Sequence, residues 1–242
     1  MNVPFYISLF LILITAIILY FIYYGLNYSF TALGFSSKRK NISLLIAIVV
    51  ICVWLAVSAI LASNGFFADF NSLPPRILVA LIPPSLAIGY ISASERVNNI
   101  LRVMPKSWMI YAQSFRFLME VFLFLMLLNG ALPVQMTFEG RNFDIIIGLS
   151  APLIAYYSYN KKVWPKIVPL LWNLAGILLV TNVLVIGLLS TPGPMRKFFN
   201  EPANTMIAQF PFIWIAALIV PFAYLLHILS IKQIMRFDEN NT

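Results

Sequence analysis

Charge is what this sequence has least of. Only 10% of its 242 residues are Asp, Glu, Lys or Arg, against about one quarter in a soluble domain, so the chain has too little polar side chain to cover itself with a watery surface. Cysteine and histidine are almost absent, with one of each. A single cysteine, Cys52, excludes an intrachain disulfide and a thiolate metal site. The single histidine, His227, cannot supply two axial haem ligands within the chain, nor complete a zinc set with Cys52. No metal and no cofactor are therefore expected. No lysine stands well inside the last apolar block, where a retinal Schiff base would need one. No basic helix or domain is present to receive DNA or RNA, despite a net charge of +8, so nucleic acid is not an expected partner.

What the sequence has is apolar length. Hydrophobic residues make up 61% of it, gathered in blocks of about 18 residues or more, enough to cross a hydrocarbon core of ~30 Å. Seven such blocks are read, at 4–26, 42–63, 75–93, 108–129, 143–160, 165–190 and 210–231. They are solidly apolar and not alternating, which selects helices over a barrel. The fifteen prolines are tolerated in membrane helices. The expected fold class is an all-α polytopic bundle of seven transmembrane helices, a single transmembrane domain over residues 1–242, with the lipid bilayer as its first partner. The links are too small to fold as soluble catalytic domains, and the sequence leaves room for homo-oligomers. The start, MNVPFYISLF, has no basic n-region, so the first block is expected to be retained and not removed as a signal peptide.

Lysine and arginine set the expected direction. Lys38, Arg39, Lys40, Arg96, Arg102, Lys106, Lys161, Lys162, Lys166, Lys232 and Arg236 fall on one side. Arg76, Arg141, Arg196 and Lys197 fall on the other. The positive-inside rule then places the N-terminus outside and the C-terminus in the cytoplasm.

The sixteenth basic residue is Arg116, within the fourth block. Gln113, Arg116 and Glu120 are spaced i, i+3, i+7, which puts them within ~60° on one helical face, and Arg116 and Glu120 are close enough along the helix to pair. At helical rise they stand about 12 Å and 18 Å from the inner end of the block. An unpaired charge there costs at least ~2.5–3.5 kcal/mol, so the face must turn into the bundle, towards polar partners such as Asn173, Asn182, Ser85, Tyr90 or Tyr156. One role is a ligand or ion pathway, with Arg116 as an anion anchor and Glu120 as a titrating or cation-binding group. The other is a polar clasp that sets helix register. Asn173 and Asn182 alone would be ordinary packing glue. His227 is expected near the cytoplasmic end of the last block, as an interfacial residue.

The external link from Leu132 to Ile145, LPVQMTFEGRNFDI, carries Glu139, Arg141, Asn142 and Asp144 beside Gly140. It reads as a gate or recognition loop at the outer mouth, or as a re-entrant or capping turn in which Asn142 or Asp144 caps the fifth helix. Together with NEPANTMIAQFPFIW, from Asn200 to Trp214, it resembles sequences of uncharacterised bacterial polytopic membrane proteins, over the stretch from about Pro105 to His227. That resemblance implies a bacterial inner-membrane setting and assigns no site residue. GLSA, from Gly148 to Ala151, resembles the serine motif of rhomboid intramembrane proteases. However, Ser150 and His227 lie about 10 Å and 25 Å from the outer ends of their blocks, too far apart in depth for a nucleophile–base pair. No catalytic residue is assigned. The expected function is transport or sensing of a small molecule or ion through a polar cavity. The contrasting expectation is a non-catalytic assembly or scaffold subunit, and an intramembrane enzyme ranks below both.

Overall fold

The computed structural model describes residues 3–237. The ends of the expected 1–242 domain, residues 1–2 and 238–242, lie outside the described residues. The protein is all-α, with no strand among the described residues. Helices α1 (Phe5–Ala32) and α2 (Ser37–Ser63) form the first hairpin. Gly34, at φ 72°, ends α1 in the left-handed conformation that glycine adopts without cost. The Ser36 hydroxyl then caps α2 by accepting from the Arg39 N–H at 3.4 Å.

Next come α3 (Leu78–Ala93) and α4 (Glu95–Val103), bent by 74° at Ser94. α5 (Lys106–Ala112) and α6 (Phe115–Leu128) follow as one 23-residue span. α7 (Ile145–Ala155) runs into a π-helical turn, Tyr156–Asn160. α8 is Ile167–Leu189, and α9 (Val220–Phe237) is preceded by a second π-helical turn, Ile215–Ile219.

Five of these helices are long and apolar enough to cross a membrane, and α3 with α4 makes a sixth if the bent pair is one span. Apolar helices of that length mark a multi-pass membrane protein. α7 with its π turn covers the expected fifth block but is shorter. Residues 94–107 fall between two apolar blocks, yet Glu95–Val103 form a helix of their own. Here α4 is amphipathic, with Asn98 and Leu101 buried and Arg96 and Arg102 exposed.

The helices divide into a centre and a rim. α9 with its π turn is the axis, its span 61% buried, whereas α2 is 17% buried. α9 packs on α8, α5, α3 and α4, while α1, α2 and α8 present large aliphatic and aromatic side chains outward, among them Leu45, Val50, Ile60 and Leu178. Such exposure suits acyl chains.

Pro221 has no N–H, so the carbonyl four residues before it, Ala217 O, loses its helical donor. The Trp54 indole N–H of α2 supplies one instead, at 3.1 Å. The Trp214 indole N–H in turn donates to Leu55 O at 3.0 Å. The two tryptophans thus tie the rim hairpin to the axis where its helical ladder is interrupted.

Candidate functional site

Gln113, Arg116 and Glu120 are 0%, 1% and 1% exposed, so the face they share turns inward as the spacing requires. Between α5 and α6 the ladder tightens: Gln113 N–H donates to Ile110 O and Arg116 N–H to Gln113 O, both at 3.0 Å, as in a 3-10 turn. The two helices still pass the length of a single span.

Arg116 does not pair with Glu120. Its Nε donates to Asp144 Oδ2 at 2.5 Å and its Nη2 to Asp144 Oδ1, a bidentate geometry that favours a guanidinium. Glu120 instead accepts from Asn142 Nδ2 through Oε1, and Asp144 comes from the link before α7. Nη1 donates to Gly176 O of α8 at 3.5 Å and meets His227 Nε2 of α9 at 2.8 Å. Arginine has five N–H groups and no acceptor. Four of them are committed to the protein, and the carboxylate Arg116 holds is the chain's own.

His227 is fully buried, which corrects its expected interfacial place. α9 continues as helix to Phe237, beyond the expected end at residue 231, and this sets His227 about 15 Å from that end by helical rise. Its tautomer follows from its neighbours. Arginine only donates, so Nε2 accepts. Nδ1 therefore carries the proton and donates to Asn173 Oδ1 at 2.8 Å. Asn173 Nδ2 donates to Ser230 Oγ at 3.0 Å and to Pro169 O at 2.7 Å. Gly176 makes room for this: a Cβ there would stand 2.2 Å from the imidazole Cε1. Gly148 does the same between α7 and α6, where a Cβ would stand 2.3 Å from Phe117 N.

The link between α6 and α7 dips into the bundle. Arg116 lies twelve residues before the end of α6, about 18 Å by helical rise, so α7 begins inside the bundle and not at its rim. Of the two expected caps, Asp144 occupies the N-cap position of α7 without a side-chain capping bond, because its carboxylate is turned to Arg116. Asn142 instead holds the turn. Its Oδ1 accepts from Asp144 N at 3.0 Å and its Nδ2 donates to Glu120 Oε1 at 2.6 Å and to Met136 O at 3.1 Å. Asn142 and Asp144 thus belong to the buried cluster, while Glu139 and Arg141 stay exposed, Arg141 lying over the Phe198 ring at 5.2 Å.

Asn182 stands apart from the cluster, donating to Arg141 O at 2.7 Å. Ser85, Tyr90 and Tyr156, weighed as partners in the sequence, all face outward. Gln113 Nε2 donates to Ala223 O at 3.0 Å. Ser150, the rhomboid-like serine, accepts from the Trp172 indole at 2.8 Å and donates to Ile146 O.

Glu120 Oε2 is buried and has no partner among the described residues. Arg116, Glu120 and Asp144 line a cavity of about 100 Å³ together with Phe115, Met119, Phe122, Leu123, Met126 and Val180 and further residues of α3, α8, α9 with its π turn, and the links. The sequence pointed to a polar cavity. The observed one is mostly apolar, because the cluster's polar atoms bond mainly to one another; Gln113 Oε1 and Glu120 Oε2 are buried without a partner among the described residues, and of these two residues Glu120 lines the cavity.

Sequence reasoning missed Asp144 as the partner of Arg116, and His227. The available signal for His227 was its spacing with Ser230 and Gln233, i, i+3 and i+6, a polar stripe whose three members are all buried.

A family model described as Domain of unknown function (DUF8737) matches residues 75–235. No curated protein and no solved structure matches the chain.

Proposed function

The chain belongs to the DUF8737 family, and on that premise we propose that it is a membrane protein that transports or senses a small molecule in the cavity beside Glu120. The single observation that carries this reading is the partnerless Oε2 of Glu120, a residue that lines a mostly apolar cavity. A buried carboxylate oxygen without a donor costs a desolvation penalty of about 1–3 kcal/mol or more, and a ligand that supplies the donor recovers it. The ligand chemistry is a largely apolar body with one amine or hydroxyl group. Ligand sites of this kind are mainly apolar with a few placed polar groups.

In this reading the chain has seven spans, the seventh being α7 with its π turn. The N-terminus is outside and the C-terminus in the cytoplasm, as the lysine and arginine distribution favours, and the resemblance of the sequence supports a bacterial inner membrane. The matched family region, 75–235, contains every residue of the cluster.

A second reading, an assembly or scaffold subunit in which the cluster only fixes packing, draws on the near-complete satisfaction of Arg116 by Asp144, His227 and Gly176. A series of primary alkylamines and the matching alcohols separates the two. With purified protein, members that fit the cavity are expected to raise thermal stability of the wild type and to cross proteoliposomes that contain it. Glu120→Gln is expected to fold, to lose the amine effect and to leave flux at the level of empty liposomes. If no member of the series acts on the wild type, or if Glu120→Gln responds like the wild type, the scaffold reading stands.

A further inference from the structure

At the lysine-rich end, opposite the start of α7, a second cavity of about 480 Å³ opens between the beginning of α5, the π turn after α7 and the beginning of α8. Lys162, Lys166 and Lys106 line it, with Ser107, Ser158 and Trp164. Among the described residues no acidic residue lines it. Lys162 and Lys166 are exposed and form no ion pair among the described residues. Lys106 Nζ donates to Phe237 O at 3.3 Å.

Ser158 is the unusual member. It lines the cavity, it is 8% exposed, and its buried hydroxyl has no partner among the described residues. It stands in the π turn Tyr156–Asn160, a feature frequent at functional sites. The turn after it holds Lys162 at φ 56°, and both Lys162 and Lys166 line the cavity.

The depth is informative. Trp164 lies against Tyr157 with ring centroids 5.0 Å apart, and tryptophan and tyrosine concentrate at the headgroup level of a bilayer. Basic pockets between membrane helices at that level hold phosphate-bearing headgroups.

We propose that this cavity, built from Lys162, Lys166 and the buried Ser158 hydroxyl, is a binding site for a phosphate group, carried by an anionic phospholipid headgroup or by a soluble phosphate. The lysines supply charge and Ser158 a directed hydroxyl. This site is separate from the cavity beside Glu120, and its test does not depend on that reading.

The test uses the full chain in bilayers of phosphatidylcholine, with and without phosphatidylglycerol, followed by native mass spectrometry of lipid retained after transfer to detergent. A parallel arm adds inorganic phosphate to the phosphatidylcholine sample and reads thermal stability. If the source is a headgroup, phosphatidylglycerol is retained by the wild type and by Lys38→Gln/Lys40→Gln. Retention falls about fivefold for each of Lys162→Gln and Lys166→Gln, and falls in Ser158→Ala at unchanged stability. If the source is soluble, inorganic phosphate stabilises the wild type and not the Lys162→Gln/Lys166→Gln variant. The proposal is overturned if neither ligand depends on these lysines, if Lys38→Gln/Lys40→Gln loses as much as they do, or if Ser158→Ala binds like the wild type.

Discussion

Arg116 commits four of its five N–H groups inside the protein, two of them to Asp144. Removing either partner of such a pair leaves a buried charge alone, at a cost of about 3–5 kcal/mol, whereas replacing both with apolar residues is often close to neutral. Arg116→Met and Asp144→Leu are each expected to destabilise by that amount, and the double variant to recover most of it. A double-mutant cycle of reversible unfolding in one membrane mimetic checks this, and additive losses would contradict the pairing. The tautomer of His227 is a second outcome at this scale. Nitrogen-15 NMR is expected to show Nδ1 protonated and Nε2 bare, and a protonated Nε2 would contradict the bond to Arg116. The inward turn of Gln113, Arg116 and Glu120 was legible in the sequence because i, i+3, i+7 spacing and the cost of charge in lipid allow only that. The pairing was not legible. It depends on a loop that re-enters the bundle, and loop paths leave no periodic trace.

Elements meet where the sequence provides missing parts. Gly148 and Gly176 give up side-chain volume so that α6 can approach α7 and the His227 ring can sit against α8. Adding a methyl there forces the neighbours to move, at about 1–3 kcal/mol, and Gly176→Ala is expected to lose that much in unfolding measurements while displacing the imidazole in the NMR spectrum. Trp54 supplies the donor that Pro221 cannot. Trp54→Phe keeps the ring but leaves Ala217 O without that bond, so a loss of about 1–3 kcal/mol is expected; an unchanged unfolding free energy would contradict the assignment. Apolar blocks foretold all the long helices to within a few residues at most ends. Among the features they did not foretell are the bend at Ser94 and the extension of α9. Both lie where polar residues continue a helix beyond its apolar part: Glu95 begins α4, and Lys232, Gln233 and Arg236 carry α9 to Phe237.

At the scale of the molecule, a buried axis, α9, is surrounded by helices that differ in how much they show to lipid. The polar cluster joins α6, α7, α8 and α9 in their interior. The two cavities lie towards opposite ends, one largely apolar beside Glu120 and one lysine-lined at Ser158. The claim on which the functional reading rests is that the cluster has two parts: a closed clasp of Arg116, Asp144, His227 and Asn173, and an open carboxylate at Glu120. Comparing the unfolding free energies of Glu120→Gln and Arg116→Met in the same membrane mimetic tests it most directly. Glu120→Gln keeps an oxygen for Asn142 and is expected to stay within about 1 kcal/mol of the wild type, while Arg116→Met loses about 3–5 kcal/mol. A loss in Glu120→Gln equal to that in Arg116→Met would make Glu120 part of the clasp and contradict the account.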